Sequence, residues 1–272
     1  MKNYLIQEIN DFVLKNNNSY FDFISSNPFE EPLIRFAPIN DPLFEEYKTI
    51  IGDFHLSPTE AFEFIYGENS IKDGSVISIA LPLSKQMKEL NKNDDIPSEE
   101  WILLLKSLKP FFADFTEHVS NTLKKEGYGC VNPNSEEFFK ITKNHGLSSN
   151  WSQKHIAYAC GLGTFGLNST FITEKGRSAL FISFVTDLLI KADIRPYDNF
   201  TANCLFFHED GCEECIKRCP VDAISEDGID KVKCYEFTIL QKNKTEGYGC
   251  GLCLVDVPCE NENPIKSIKN KA

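Results

Sequence analysis

The chain has no run of eighteen apolar residues, which argues against a membrane span. Its opening, MKNYLIQEIN, has no apolar core of an export signal, so an oxidising destination for its thiols is not expected. A soluble protein in a reducing, cytoplasmic setting is the expectation. Basic residues are scarce beside acidic ones: 28 Lys+Arg against 40 Asp+Glu give a net charge of −12. That deficit disfavours a broad phosphate-binding surface. The five histidines, His55, His118, His145, His155 and His208, are scattered and form no H-E-x-x-H or similar metal pair. What the chain does hold is apolar bulk, 42% hydrophobic with 22 Phe in 272 residues. That is enough for a substantial core, in one large domain or two smaller ones.

Cysteine is abundant and concentrated. Eight of the ten lie between Cys204 and Cys259. The first group is Cys204, Cys212, Cys215 and Cys219, the last followed by Pro220, and its second half reads C-x2-C-x3-C-P. This is the back end of the bacterial ferredoxin run, in which three thiolates hold one cluster and the cysteine before proline holds the other. The second group is Cys234, Cys250, Cys253 and Cys259. Two sets of four match a pair of [4Fe–4S] clusters. Structural zinc is the alternative, with Cys212, Cys215, Cys250 and Cys253 as ligands. It would leave four cysteines unused and give no reason for Cys219-Pro220; ligand count and softness favour clusters. By analogy with two-cluster ferredoxins, Cys204, Cys212, Cys215 and Cys259 take one cluster, and Cys219, Cys234, Cys250 and Cys253 the other. The spacing departs from the ferredoxin run in two places: Glu209 stands where a ligand three residues before Cys212 would be, and Cys253 to Cys259 is a long C-x5-C. Both read as loop insertions, which cost little closure entropy. Cys130 and Cys160 fall outside the constellation and read as small buried hydrophobes.

Apolar periodicity predicts a helix over 2–15, a strand over 32–38, and short helices over 42–51 and 58–66, the second capped by Ser57. SVISIALPL, from Ser75, predicts a buried strand, and ALFISFVTDLL, 179–189, a second. Residues 98–126 read as helical, with Pro110 expected to kink or split them. A short helix over 152–159 follows. The segment 191–200 is the expected boundary between an α+β domain, 1–198, and a cluster domain, 199–272.

Gly161, Gly163 and Gly166 spell G-x-G-x-x-G, but a helix precedes them and an extended segment follows, the reverse of a dinucleotide loop. Two readings stand: a tight reversal needing positive φ, or a backbone surface that a large cofactor approaches closely.

The order SVISIALPL, HIAYACGLGTFGLNSTFIT, ALFISFVTDL, CEECIKRCPVDAI and GYGCGLC resembles epoxyqueuosine reductase and its shorter homologues over about residues 70–260. The resemblance implies an α+β fold: an N-terminal cobalamin-reductase-like α/β sandwich, similar to the corrinoid domain of reductive dehalogenases, joined to a two-[4Fe–4S] ferredoxin-like domain. It further implies that Gly161, Gly163, Gly166, Asn168 and Ser169 line a corrinoid site and that the clusters feed it single electrons. The chain departs from the family in three ways. Asn132 in Val131-Asn132-Pro133 replaces the acidic proton donor, Leu167 replaces the lysine of G-K-N, and no helical-repeat extension follows the cysteines. An amide is no general acid at neutral pH. The expected acceptor is therefore a small molecule or a corrinoid protein and not tRNA, with ferredoxin or flavodoxin as a low-potential donor.

Of the remaining candidates, His155 is best placed to face a cofactor, although a structural role is the more common fate of such a residue. His118 reads as a packed residue, and His208 as one that could tune a cluster. Lys231, Lys233, Lys242 and Lys244 around Cys234 read as a solvated face, with partner docking as the sharper alternative.

Overall fold

SVISIALP leaves no polar face along its length, and the strand it forms, Ser75–Pro82 (β2), is buried at every position. The computed structural model describes residues 1–15, 19–92, 95–143, 147–208, 211–245 and 249–269. In it β2 pairs antiparallel with Leu33–Pro38 (β1) on one side and Ala179–Thr186 (β8) on the other. Cys130–Val131 (β3) completes a four-stranded sheet in the order β1-β2-β8-β3.

Strand alternation sorts two cores, one on each face. Ile77, Ile79 and Leu81 join Phe36, Ile182 and Phe184 beneath the helices Lys2–Lys15 (α1) and Glu99–Lys125 (α5). Val76, with its register partners Ala37 and Val185, faces the helices Leu43–Ile50 (α2), Pro58–Tyr66 (α3) and Gln153–Ala159 (α6). The result is a mixed α/β fold with its sheet covered on both sides. The Ser57 cap forms as a capping box: the hydroxyl accepts from the Glu60 N–H at 3.3 Å and Glu60 accepts from the Ser57 N–H at 2.7 Å.

Two expectations are corrected. Pro110 does not split the segment 98–126, where Glu99–Lys125 form one helix of 27 residues between the caps Ser98 and Glu126. Trp101, Ile102 and Leu104 before the proline, and Phe111, Phe115, Val119 and Leu123 after it, are all buried. Seating both halves on the protein interior offsets the roughly 3 kcal/mol a helical proline costs. The strand expected over 179–189 ends at Thr186, whose hydroxyl donates to the Gly129 carbonyl and accepts from the Leu188 N–H, turning the chain.

Segment 191–200 does not swing free of the sheet. Asp193 returns along β1, its N–H donating to the Phe36 carbonyl at 2.9 Å and its carboxylate accepting from the Phe36 N–H at 3.0 Å. The smaller elements are Lys85–Leu90 (α4), the pairs Ile141–Thr142 (β4) with Ser148–Ser149 (β5) and Gly163–Phe165 (β6) with Phe171–Thr173 (β7), Glu214–Lys217 (α7), the pair Ile224–Ser225 (β9) with Gly228–Ile229 (β10), Lys231–Thr245 (α8) and Pro264–Lys269 (α9). Val255, between the last cysteines, belongs to the main core at 0% exposure. Among the described residues no helix is long and apolar enough to cross a membrane.

Candidate metal centre

The glycine loop folds as a hairpin, β6 to β7, and this hairpin is the platform on which the cysteines gather. Its turn is closed by Gly166, whose N–H donates to the Thr170 carbonyl, and by Ser169 at φ +55°. Asn203, next to Cys204, fastens the cysteine segment to the hairpin: its N–H donates to Thr164 Oγ1 and its side-chain amide to the Ile172 carbonyl, both at 2.9 Å. Leu167 and Ile172 then share one apolar cluster with Cys204, Cys215 and Cys259, with Cys219 and Cys253 packed against it.

The thiols act on one another within each group and across the two, Cys215 having both Cys253 and Cys204 beside it. Cys259 is pushed up to about 11, chiefly by burial, with the neighbouring Cys204, Cys215 and Cys212 adding. Cys250 is pushed up to about 12, again chiefly by burial, with Cys253, Cys234 and Cys219 adding. Cys215, Cys234 and Cys253 are raised by burial too. Crowded thiols like these lose their protons readily only when a metal takes their place. The Cys219 sulfur also accepts from the Ala223 N–H at 3.2 Å.

Among the described residues no group of three His, Cys, Asp or Glu side chains could hold a metal ion. A single tetrahedral zinc needs four sulfurs each about 2.3 Å from one point. A four-iron cube ties each thiolate to a different iron and so spreads them. Donor type and number fit clusters.

Two cations stand in this junction. Arg177, 3% exposed, donates from Nε to Thr170 Oγ1 at 2.9 Å and from Nη2 to Asn168 Oδ1 and Thr170 Oγ1. The thiols of Cys259, Cys253 and Cys215 are the charges that act on it, opposing the cost of its burial. Lys154 donates to the Ser169 carbonyl at 2.7 Å; burial lowers it to about 8, against the opposing pull of Cys253 and Cys234.

The glycines serve the fold itself. A Cβ at Gly163 would overlap the Ile172 carbonyl across the hairpin, and one at Gly161, φ +79°, would stand 2.8 Å from the Ile194 carbonyl. The amides of Gly161, Leu162, Gly166, Ser169 and Thr170 are all spent inside the chain. Asn168 is 2% exposed; its Oδ1 accepts from Arg177 and Thr170, and its Nδ2 is buried without a hydrogen-bond partner. Beside Gly161 lies a cavity of about 220 Å³ lined by Arg35, Glu174, Tyr197 and Lys266, below the roughly 300–1,000 Å³ usual for ligand clefts.

The other sequence candidates disperse. Burial lowers His155 to about 3; its Nδ1 meets Ser152 Oγ at 2.8 Å and its ring packs on Phe165 and Tyr47. His118 stacks on Phe12 and reaches Glu8. His208 bonds to the Ala202 carbonyl, and His145 lies outside the described residues. Lys231 and Lys233 are exposed, while the side chains of Lys242 and Lys244 lie outside the described set. Cys130 is raised to about 12 and Cys160 far above the usual thiol range, both by burial. Asn132 is a cap, accepting from the Asn134 N–H and donating to Thr116 Oγ1 at 2.8 Å. Sequence reasoning missed Gly176 and Arg177. Their local trace is a Gly-Arg pair two residues before β8, which by itself names no partner.

No family model matches the chain. Over 117 residues it is 32% identical to an epoxyqueuosine reductase of Leadbetterella byssophila, a match covering 38% of this chain and 33% of that protein. Its fold is similar to that of an epoxyqueuosine reductase crystallised with an epoxyqueuosine-modified tRNA-Tyr stem loop, with a TM-score of 0.53 at 15% identity over 95% of this chain and 65% of the other. It is also similar to a reductive dehalogenase whose structure suggests a mechanism for B12-dependent dehalogenation, with a TM-score of 0.50 at 18% identity over 72% of this chain and 27% of the other. The chain spans less than two thirds of each. These likenesses establish the mixed α/β fold and support the resemblance to epoxyqueuosine reductase read from the sequence.

Proposed function

We propose that this relative of epoxyqueuosine reductase is an iron–sulfur oxidoreductase passing single electrons through two [4Fe–4S] clusters to a bound corrinoid or a small-molecule substrate. The observation that carries the reading is the gathering of Cys204, Cys215, Cys219, Cys253 and Cys259 around one apolar cluster against the glycine hairpin, with Cys215 and Cys219 in the C-x2-C-x3-C-P run. Cys204, Cys212, Cys215 and Cys259 would hold one cluster, and Cys219, Cys234, Cys250 and Cys253 the other. Bound clusters supply one-electron transfer at potentials between roughly −700 and +450 mV. The chain's own part is to keep water from the sulfurs through Leu167, Ile172 and Val257, to donate the Ala223 amide to the Cys219 sulfur, and to set the Arg177 charge beside them.

A low-potential ferredoxin or flavodoxin is the proposed donor. Asn132, buried as a cap, supplies no proton, and the acidic balance disfavours tRNA. The amides of Gly161, Leu162, Gly166, Ser169 and Thr170 are spent internally, which leaves the loop few donors for a corrinoid, and no step is routed through one. That same observation favours a second reading, a non-catalytic electron carrier or activator for a separate corrinoid protein.

Cobalamin titration of the iron-loaded, dithionite-reduced chain separates the two. Retention of cobalamin on gel filtration, with reduction seen in its visible spectrum, supports a bound acceptor. Intact clusters without retention support the carrier. A chain that takes up no iron sinks both.

A further inference from the structure

Arg177 carries a permanent charge, since a guanidinium does not deprotonate in proteins. It is buried, yet among the described residues no carboxylate pairs with it, a state that costs folding free energy unless a negative charge arrives. Its fixed partners, Thr170 Oγ1 and Asn168 Oδ1, are neutral. They orient the fork without neutralising it.

Its position is tightly determined. The Arg177 N–H donates to the Cys259 carbonyl at 2.8 Å. Gly176 before it sits at φ +83°, where a Cβ would overlap the Glu260 carbonyl, so glycine lets the cysteine segment approach. On the other side Nη2 stands 3.1 Å from where a Cβ of Gly166 would lie. The guanidinium is thus held between the hairpin and the last cysteine. Its partner Asn168 adjoins Leu167, which shares one apolar cluster with Cys215 and Cys259 of one set and has Cys253 of the other packed against it, and these three thiols are the charges that act on the guanidinium. The thiols acting on Lys154, Cys253 and Cys234, are by contrast both from the second set.

We infer that Arg177 is the shared counter-ion of the two thiolate sets, a positioning residue that offsets the negative charge each set gains on loading and again on reduction. The inference rests on the iron–sulfur reading above. Four thiolates around a four-iron cube leave a net anion, and each electron taken up adds one negative charge to it. A buried cation beside both sets favours the reduced form of both.

The test is an EPR-monitored redox titration of the anaerobically reconstituted chain and its variants. R177Q removes the charge and keeps an amide in place; R177K keeps the charge. The expected result is a displacement of both midpoint potentials to more negative values in R177Q, with R177K near the parent. Unchanged potentials in R177Q, or displacement of one cluster alone, overturn the assignment. Should R177Q take up no iron, iron content in R177K and R177M decides. Retention in R177K with loss in R177M supports the counter-ion, and equal loss in both overturns it. A parent chain that binds no iron would fail the iron–sulfur reading itself, a result separate from these.

Discussion

The indole of Trp101 lies so close over Gly251 that a Cβ built at 251 would fall on the ring, and Gly251 itself sits at φ +71°. Trp101 stands in the first turn of α5, its N–H bound to the Ser98 cap at 3.2 Å. Gly251 lies between Cys250 and Cys253. A helix of the sheet domain therefore shapes the loop that presents two thiols. Asn91 adds to this, donating to the Cys250 carbonyl at 3.2 Å.

Gly251→Ala should displace Cys250 and Cys253 and cost one cluster, so that iron falls from about eight to about four per chain. Iron and sulfide analysis after anaerobic reconstitution reads this directly. Full loading of the variant would show that the contact is dispensable.

Gly163→Val is a test of the fold more than of cofactor binding. The added side chain would meet the Ile172 carbonyl across the β6–β7 hairpin, and Ile172 packs with Cys204, Cys215 and Cys259. Strain in this hairpin should lower stability by about 1–3 kcal/mol and weaken the cysteine cluster with it. Denaturant unfolding is the measurement. A variant as stable as the parent contradicts the role given to this glycine.

Asn132→Asp should not awaken an acid. The Asn132 amide donates to Thr116 Oγ1, and a carboxylate there loses that donor while burying charge. A stability loss of about 1–3 kcal/mol is expected, with no reduction of epoxyqueuosine in tRNA. Recovered turnover on that substrate would refute the capping assignment.

Two buried histidines give the stability a pH dependence. Burial lowers His55 to about 4, modulated by Glu60 and Lys48, and His155 to about 3, with His55, Lys154 and Lys231 also lowering it. The unfolded chain binds protons at these sites near pH 6.5, before the folded one does. Their contribution is therefore full above pH 6.5 and is lost as pH falls through that value toward 4 and then 3. The slope is roughly 1.4 kcal/mol per pH unit for each histidine. Urea unfolding at pH 7 and pH 5 should show the loss, and His55→Gln should flatten it. Equal slopes in parent and variant would remove His55 from this account.

The parts of this protein that were legible in its sequence are those set by local pattern. β2 announced itself because eight successive residues carry no polar face, and α3 because Ser57 and Glu60 stand at capping-box spacing. Cysteine spacing is also local, so the ligand candidates could be read directly. Arg177 could not, because its meaning depends on Thr170 in the hairpin and on Cys215 and Cys259, which lie far along the chain. Pro110 misled for a similar reason: tertiary burial on both sides of it outweighs a local preference. The glycines read equally well as reversal or cofactor surface until the positions of Ile172 and Ile194 were known.

Metal analysis with an ultraviolet–visible spectrum of the anaerobically reconstituted chain tests the central claim most directly. The account predicts brown protein with about eight iron and eight sulfide per chain. One zinc per chain and no iron would contradict it.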